Sequence, residues 1–326
     1  MSFAIDRRQM IAALAASGAG ALASPAMGAP YRMIPQRASA RVVVDNDFAG
    51  DPDSLIALAH QLLTPKTRTT LITVSPTAPK LTPPEMQGRS STMGAQIARE
   101  LIRRAGVAAN PPVIAGAEAV SADLAPTEAA RAIVAEALRE DPLPLFVTCG
   151  GPLTNVAAAL KMAPQIARRM TVVWIGGGAY PAGGWEYNLN TDIAAAREVI
   201  ERHKVPLWQI PQGAYRQMQA SNADLAARLR PVSDFGAWLY DRFTTPPEWI
   251  DIGGTWPLGD SPTVLLTALT AESSVARDLP ARRILPDGRY GAVVPGRKLR
   301  VFDTLDARLT FEDFHALMRL HAAGDL

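Results

Sequence analysis

Sulfur and imidazole are scarce in this chain. A single cysteine, Cys149, stands among 326 residues, so no internal disulfide can form and no cysteine-type zinc site can be built. The four histidines, His60, His203, His315 and His321, are far apart, and no two have a metal-ligand spacing such as HExxH. Any bound metal is therefore expected to be a hard, oxygen-held cation. Charge of one sign is lacking too: the net charge is +2, which gives no basic face from which to argue nucleic-acid binding. Beyond the N-terminus no apolar run approaches the ~20 residues that a membrane-spanning helix needs, so stable membrane insertion is not expected. What is there is a globular composition, 48% apolar and 20% charged, which excludes intrinsic disorder and can fill a sizeable core. The 27 prolines point to many ordered loops.

Residues 1–29 read as an export signal. Arg7-Arg8 is followed by Gln9-Met10-Ile11, then by an Ala/Leu/Gly stretch to about Ala23. Ala21-Leu22-Ala23 and Ser24-Pro25-Ala26 offer small-residue cleavage sites. The Arg-Arg-x-apolar-apolar pattern resembles the twin-arginine class, with Asp6 where Ser is usual. A disordered or amphipathic N-terminus is the plainer alternative. The expectation is an exported, periplasmic protein in which residues 30–326 form a single domain.

The rest of the chain alternates strand and helix signals. Apolar runs at Arg41–Val44, Thr70–Val74, Pro112–Ile114, Leu143–Thr148, Met170–Ile175 and Val205–Ile210 read as strands. Helical spacing falls between them at Ser54–Leu63, Gly94–Ala105, Thr127–Leu138, Asn155–Lys161 and Asp192–His203. Arg283–Leu285, Gly291–Val294 and Lys298–Phe302 look like shorter antiparallel pieces, and Thr310 would cap a terminal helix over Phe311–Ala322. This rhythm predicts an α/β fold: an open, mainly parallel sheet with helices on both faces and small antiparallel additions near the C-terminus. In such sheets ligands bind beyond the carboxyl ends of the strands, so the residues just after each apolar run carry the information.

The first of those loops is the most informative. Asp45, Asp47, Asp51 and Asp53 crowd together directly after a buried strand, where like charges repel unless a cation intervenes. Clustered carboxylates suit Ca²⁺ or Mg²⁺. An EF-hand fails, because position twelve from Asp45 is Ile56 rather than Glu. A helix N-terminus alone accounts for Asp53 and Asp51 but not for all four.

Asp45-Asn46-Asp47-Phe48-Ala49-Gly50-Asp51-Pro52-Asp53-Ser54-Leu55-Ile56-Ala57-Leu58 resembles the N-terminal signature of the inosine–uridine preferring nucleoside hydrolases, DxDxGxDDAxAL or a version two residues longer. Gly150-Gly151-Pro152-Leu153-Thr154-Asn155 resembles their GPLTN turn. Gly176-Gly177-Gly178 with Trp185-Glu186-Tyr187-Asn188 resembles the GGA…EFN segment, and Gly259-Asp260-Ser261-Pro262 the late HDP segment. The four matches fall in the family's order.

The resemblance implies cleavage of the N-glycosidic bond of ribonucleosides by a Ca²⁺-activated water, a nucleoside as the small-molecule partner, and a homo-oligomer, dimer or tetramer. It implies Asp47 as catalytic base and metal ligand, with Asp51, Asp53, the Gly150 carbonyl and Asp260 as further metal candidates. Asp53, Asp260, Glu186 and Asn188 would bind ribose hydroxyls, Glu186 on the 5′ side.

Three positions depart from the pattern. Ser54 replaces an acidic metal ligand, Gly259 replaces a histidine that protonates the leaving base, and an Asn before Glu186 is missing. Trp256 is the leading candidate for the base-facing wall, with Trp249 and Tyr180 behind it.

Other readings remain for individual residues. Cys149 reads as a small buried residue and His60 as a packed or surface group. Asp260 alone would pass for a helix cap, and Glu186 and Asn188 for loop polars. A DxD phosphatase would use Asp45 as nucleophile and Asp47 as acid, but Ala49 stands where Thr or Val is needed. The non-enzyme alternative is an extracytoplasmic nucleoside- or ribose-binding protein that has lost turnover.

Overall fold

The structure is a computed structural model that describes residues 36–78, 82, 84–246 and 253–326. The expected signal at 1–29 and Trp249 lie outside the described residues. From Arg37 onward the chain is one compact unit.

Among the described residues ten strands are formed: β1 (Ala40–Asn46), β2 (Thr67–Val74), β3 (Val113–Ala115), β4 (Leu145–Cys149), β5 (Thr171–Ile175), β6 (Leu207–Ile210), β7 (Gln219–Ser221), β8 (Thr255–Pro257), β9 (Val275–Ile284) and β10 (Tyr290–Thr304). Eight make one sheet in the order β3-β2-β1-β4-β5-β6-β10-β9. β1 pairs in parallel with β2 and β4, and the parallel run continues through β5, β6 and β10. Only β9 is antiparallel, paired to β10. The expected antiparallel pieces are thus two long strands rather than three short ones.

β1 is buried along its whole length because both faces are covered. Side chains alternate across a strand. Val43 joins the core beneath helices 128–138 and 154–162, while Val42 and Val44 join the core beneath helices 53–63, 90–105 and 307–323.

Helix 90–105 starts about one turn before the expected Gly94. Gly94 sits inside it because a Cβ there would lie 2.8 Å from Val74 Cγ1, so the helix packs close against β2. Thr127 caps helix 128–138 by accepting from Ala130 N. The single helix expected over 192–203 is instead Ile193–Arg197 continued by a wide turn at Glu198–Arg202, with Asp192 as its cap. The terminal helix runs from Ala307 to Ala323. Its cap is Asp306, which accepts from Leu309 N, and Thr310 turns its hydroxyl back to the Asp306 carbonyl instead. Sequence periodicity missed helices Asn222–Arg228 and Asp234–Thr244 and the small β7–β8 pair. Among the described residues no helix is long and apolar enough to cross a membrane.

After β1 the chain builds β2 and β3 on one side and then returns to lay β4 on the other. That reversal opens a crevice at the carboxyl ends of β1 and β4. Asp47 follows β1 there, and Gly150 follows β4.

Candidate active site

The crevice holds a cavity of about 460 Å³. Asp47, Asp51, Asp53, Gly150, Glu186, Asn188, Trp256 and Asp260 all stand on its wall, so these expected site residues are brought to one place.

The four aspartates of the first loop divide their work. Asp45 is still within β1 and does not reach the cavity. Its carboxylate accepts from Thr73 Oγ1 at 2.8 Å and from Asn155 Nδ2 at 2.9 Å, which ties β1 to β2 and to helix 154–162. Burial pushes its pKa up to about 6 despite those donors.

Asp47 lies past the strand end, in a turn closed by Gly50 N on the Asp47 carbonyl at 2.7 Å. Its Oδ2 is buried without a hydrogen-bond partner. Burial raises its pKa well above the carboxylate range, and the charges of Asp51 and Asp260 raise it further. Asp51 is raised by burial. It stands on the cavity wall, close enough for its charge to act on Asp47.

Asp53 opens helix 53–63, where the helix dipole favours an anion. Its Oδ2 accepts from Asp260 N at 3.2 Å, and its Oδ1 has no partner. Burial and the charges of Asp260 and Asp51 raise it well above the usual range. Ser54 does not line the cavity; its hydroxyl donates to the Asp51 carbonyl at 3.3 Å.

Gly150 has no room for a side chain. A Cβ there would come within 2.3 Å of Asn46 Nδ2 and 2.7 Å of Asp260 Oδ1. Its carbonyl accepts from Asn188 Nδ2 at 2.8 Å, and the other N–H of that amide goes to the Ile175 carbonyl at 2.9 Å. Asn188 Oδ1 is left buried and unpartnered.

Glu186, fully buried, caps the short helix Tyr187–Thr191. Burial raises its pKa, and backbone N–H groups hold it back down.

Asp260 Oδ2 accepts from Asn46 Nδ2 at 2.9 Å. It is not a side-chain helix cap: the helix at Pro262 is preceded by Ser261, with no capping side chain. Burial, then the charge of Asp51, raises its pKa well above the usual range.

Three contributors were not identified from sequence. Asn46 bridges two loops, since its Oδ1 also accepts from Asp47 N at 2.8 Å. Tyr187 lies near Asp47, and its phenol is pushed up by burial and by Asp47 and Asp51. Tyr215 stands on the wall and donates to Glu186 Oε1 at 2.9 Å. The Asn188 and Glu186 pattern pointed towards this region, but nothing in the local sequence marked Tyr215.

Tyr180 is not on the wall; its hydroxyl donates to the Pro280 carbonyl and its ring packs near Tyr290. Cys149 is buried, and its thiol is raised by burial and by Asp45, which makes it inert as a nucleophile. His60 is buried against Phe314, with Nε2 2.9 Å from Asp313.

The carboxylates of Asp47, Asp51, Asp53 and Asp260 and the Gly150 carbonyl give the wall the oxygen donors that a hard cation takes, and Asp47 Oδ2 and Asp53 Oδ1 among them are without a partner, while Arg216, Gln212 and Gln219 line the same cavity. Among the described residues, however, no three His, Cys, Asp or Glu side chains are gathered closely enough, as they stand, to hold a metal ion.

Residues 42–279 match the model of the inosine-uridine preferring nucleoside hydrolase family. The chain belongs to that family. A pyrimidine-specific ribonucleoside hydrolase, RihA, of Salmonella arizonae is 32% identical over 119 residues, 34% of this chain and 38% of that protein. RihA of Salmonella typhimurium is 30% identical over 143 residues, 40% of this chain and 45% of that protein. The aligned stretch thus spans less than half of these relatives.

Among solved structures, a purine-preferring ribonucleoside hydrolase from Gardnerella vaginalis superposes with a TM-score of 0.68 at 18% identity, covering 86% of this chain and 99% of that one. An inosine-uridine preferring nucleoside hydrolase from Bacillus anthracis gives 0.64 at 17%, covering 86% and 99%. At these identities the likeness speaks for the fold.

Proposed function

We propose that the protein hydrolyses the N-glycosidic bond of ribonucleosides, releasing a free base and ribose, with Ca²⁺ as its cofactor. One observation carries this reading: three buried acceptors, Asp47 Oδ2, Asp53 Oδ1 and Asn188 Oδ1, have no partner and stand on the wall of one cavity. Orphaned buried acceptors are costly, so the site is built for something that brings donors. A sugar diol and a water bring them.

The residues divide the task as follows. Asp47, whose Oδ2 is buried without a partner, takes a proton from the attacking water. Asn188 has both amide hydrogens committed, so its free oxygen accepts from a ribose hydroxyl. Asp53 Oδ1 accepts from another, and Asp260 lies beside it. Fixing the diol at several points holds the ring in a reactive orientation. As the base departs the sugar becomes oxocarbenium-like, and the surrounding carboxylates oppose that positive charge.

Asp47, Asp51, Asp53, Asp260 and the Gly150 carbonyl would hold the cation, which when bound offsets the carboxylate repulsion and acidifies water. Trp256 on β8 faces the departing base. Family membership supports a homo-oligomer, dimer or tetramer, and the Arg7-Arg8 signal supports export to the periplasm.

The test is Asp47→Asn. It should lower kcat on ribonucleosides by about 10²–10⁴-fold, the usual worth of a general base, while a riboside still shifts the melting temperature. A wild-type protein that binds ribosides and releases no base is a binding protein, and the proposal fails.

A further inference from the structure

Glu186 is expected to take a sugar hydroxyl, yet its carboxylate is already full. Oε2 accepts from Gly177 N at 2.8 Å and from Leu189 N at 2.9 Å. Oε1 accepts from Asn188 N at 3.2 Å and from Tyr215 Oη at 2.9 Å. A carboxylate offers about four lone-pair sites. All four are used here, three of them by backbone donors that fix the loops at 177 and 187–189.

Tyr215 is the one donor of the four that is a side chain, and it stands on the cavity wall. It ends the short helix Gln212–Tyr215 that follows β6. Its ring reaches Gly259, where a Cβ would lie 3.1 Å from Tyr215 Cδ2 and 3.2 Å from Asp53 Oδ2. Tyr215 therefore stands between Glu186 and the carboxylates that hold the diol. Burial and the adjacent Glu186 keep it a phenol. With its proton committed to Glu186, its oxygen presents free lone pairs.

We infer that Tyr215 Oη, rather than Glu186, accepts the hydrogen bond from the substrate's 5′-hydroxyl, with Glu186 acting behind it as a positioning residue. The inference rests on the ribonucleoside hydrolase reading above for where the sugar lies. It makes Tyr215 a specificity-determining residue. A hydroxyl at C5′ fits an acceptor of this kind.

The experiment compares uridine and inosine with their 5′-deoxy counterparts on wild type, Tyr215→Phe and Tyr215→Met. Binding of methyl β-ribofuranoside and its 5-deoxy analogue is measured alongside. A neutral hydrogen bond is worth about three- to tenfold, so the wild type should favour the 5′-hydroxyl substrates by about that factor in kcat/KM. Both variants should bring the ratio close to one. A ratio unchanged in the variants overturns the inference, as does a ratio lost in Glu186→Gln while Tyr215→Phe keeps it. If the wild type cleaves no riboside, the hydrolase reading fails on its own. The binding ratio then decides Tyr215, and equal binding of the two methyl glycosides by the wild type overturns it.

Discussion

The Asn46 amide donates to Asp260 Oδ2 at 2.9 Å, across a sequence separation of 214 residues, while its oxygen accepts from Asp47 N. One neutral side chain thus fixes the first and the last loops of the site against each other. It also partly offsets the raised proton affinity of Asp260. Removing a group that orients a ligand residue typically costs 10–100-fold in metal affinity or activity. Asn46→Ala should show a loss of that size in Ca²⁺ affinity and in turnover. A variant with unchanged Ca²⁺ affinity would show that the bridge has no part in cation binding.

Proton affinity in the site fixes the sign of a stability effect. Asp45 has its pKa raised to about 6 by burial, and Asp47, Asp53 and Asp260 are raised by burial first and by neighbouring carboxylates second. A carboxyl whose pKa is higher in the folded chain binds its proton more tightly there. Its contribution is therefore greatest at low pH and is lost as pH rises from the unfolded value, about 4, through the folded one. For Asp45 that window closes near 6, and the loss is on the order of 3 kcal/mol. Without divalent cation, the melting temperature should fall between pH 5 and 7, a range in which exposed paired carboxylates have already titrated. Added Ca²⁺ should raise it more at pH 7 than at pH 5. A melting temperature that rises with pH under chelation contradicts this account of the site.

Gly259 and Tyr215 should behave as a unit. Restoring a histidine at 259 would drive a ring into Tyr215 and Asp53, because even a Cβ there is 3.1 and 3.2 Å from them. Gly259→His should lower kcat/KM by at least about tenfold, and Tyr215→Ala in the same chain should add little further loss. Contacting residues couple in this way and distant ones do not. Losses that multiply in the double variant would show that the two positions do not share one space.

No histidine lines the cavity among the described residues. Its phenols at 187 and 215 are both pushed up by burial, and that of Tyr215 is committed to Glu186. A general acid typically contributes about 10²–10⁴-fold, so leaving groups that need a proton should suffer. p-Nitrophenyl riboside should be cleaved at least about 10²-fold faster than inosine. Similar rates on the two would reveal an acid that the cavity wall does not account for.

Much of this was legible in the sequence, because strands buried on both faces read as continuous apolar runs and the loops that follow them are where such a sheet gathers its ligands. The aspartate cluster at 45–53 is visible in that way, whereas Gly150, Asn188 and Asp260 follow from the resemblance of their segments to the family's. That Asp47, Asp51 and Asp53 rather than Asp45 line the cavity agrees with what the resemblance implies, but the residue pattern alone does not separate them. Asp45 and Asp47 differ only in that the strand ends between them, and the strand holds Asp45 against Thr73 and Asn155. Glu186 was read as a sugar ligand because cap donors from Gly177, Asn188 and Leu189 appear only once the loops close. Tyr215 was missed for a similar reason, since it reaches Gly259 and Glu186 through tertiary packing alone. Helix 234–244 was missed where Gly236 interrupts the apolar spacing; it packs so close to the Leu229 carbonyl that a Cβ would meet it at 2.4 Å.

Hydrolysis of an N-riboside in this cavity should require a divalent cation. The most direct measurement is product analysis after incubating the purified protein with inosine, uridine and cytidine, with Ca²⁺, with a chelator, and with Ca²⁺ restored. Equimolar free base and ribose should appear from at least one nucleoside, be lost on chelation and return on readdition. Intact nucleosides in every arm, from a protein whose melting curve shows it folded, would contradict it.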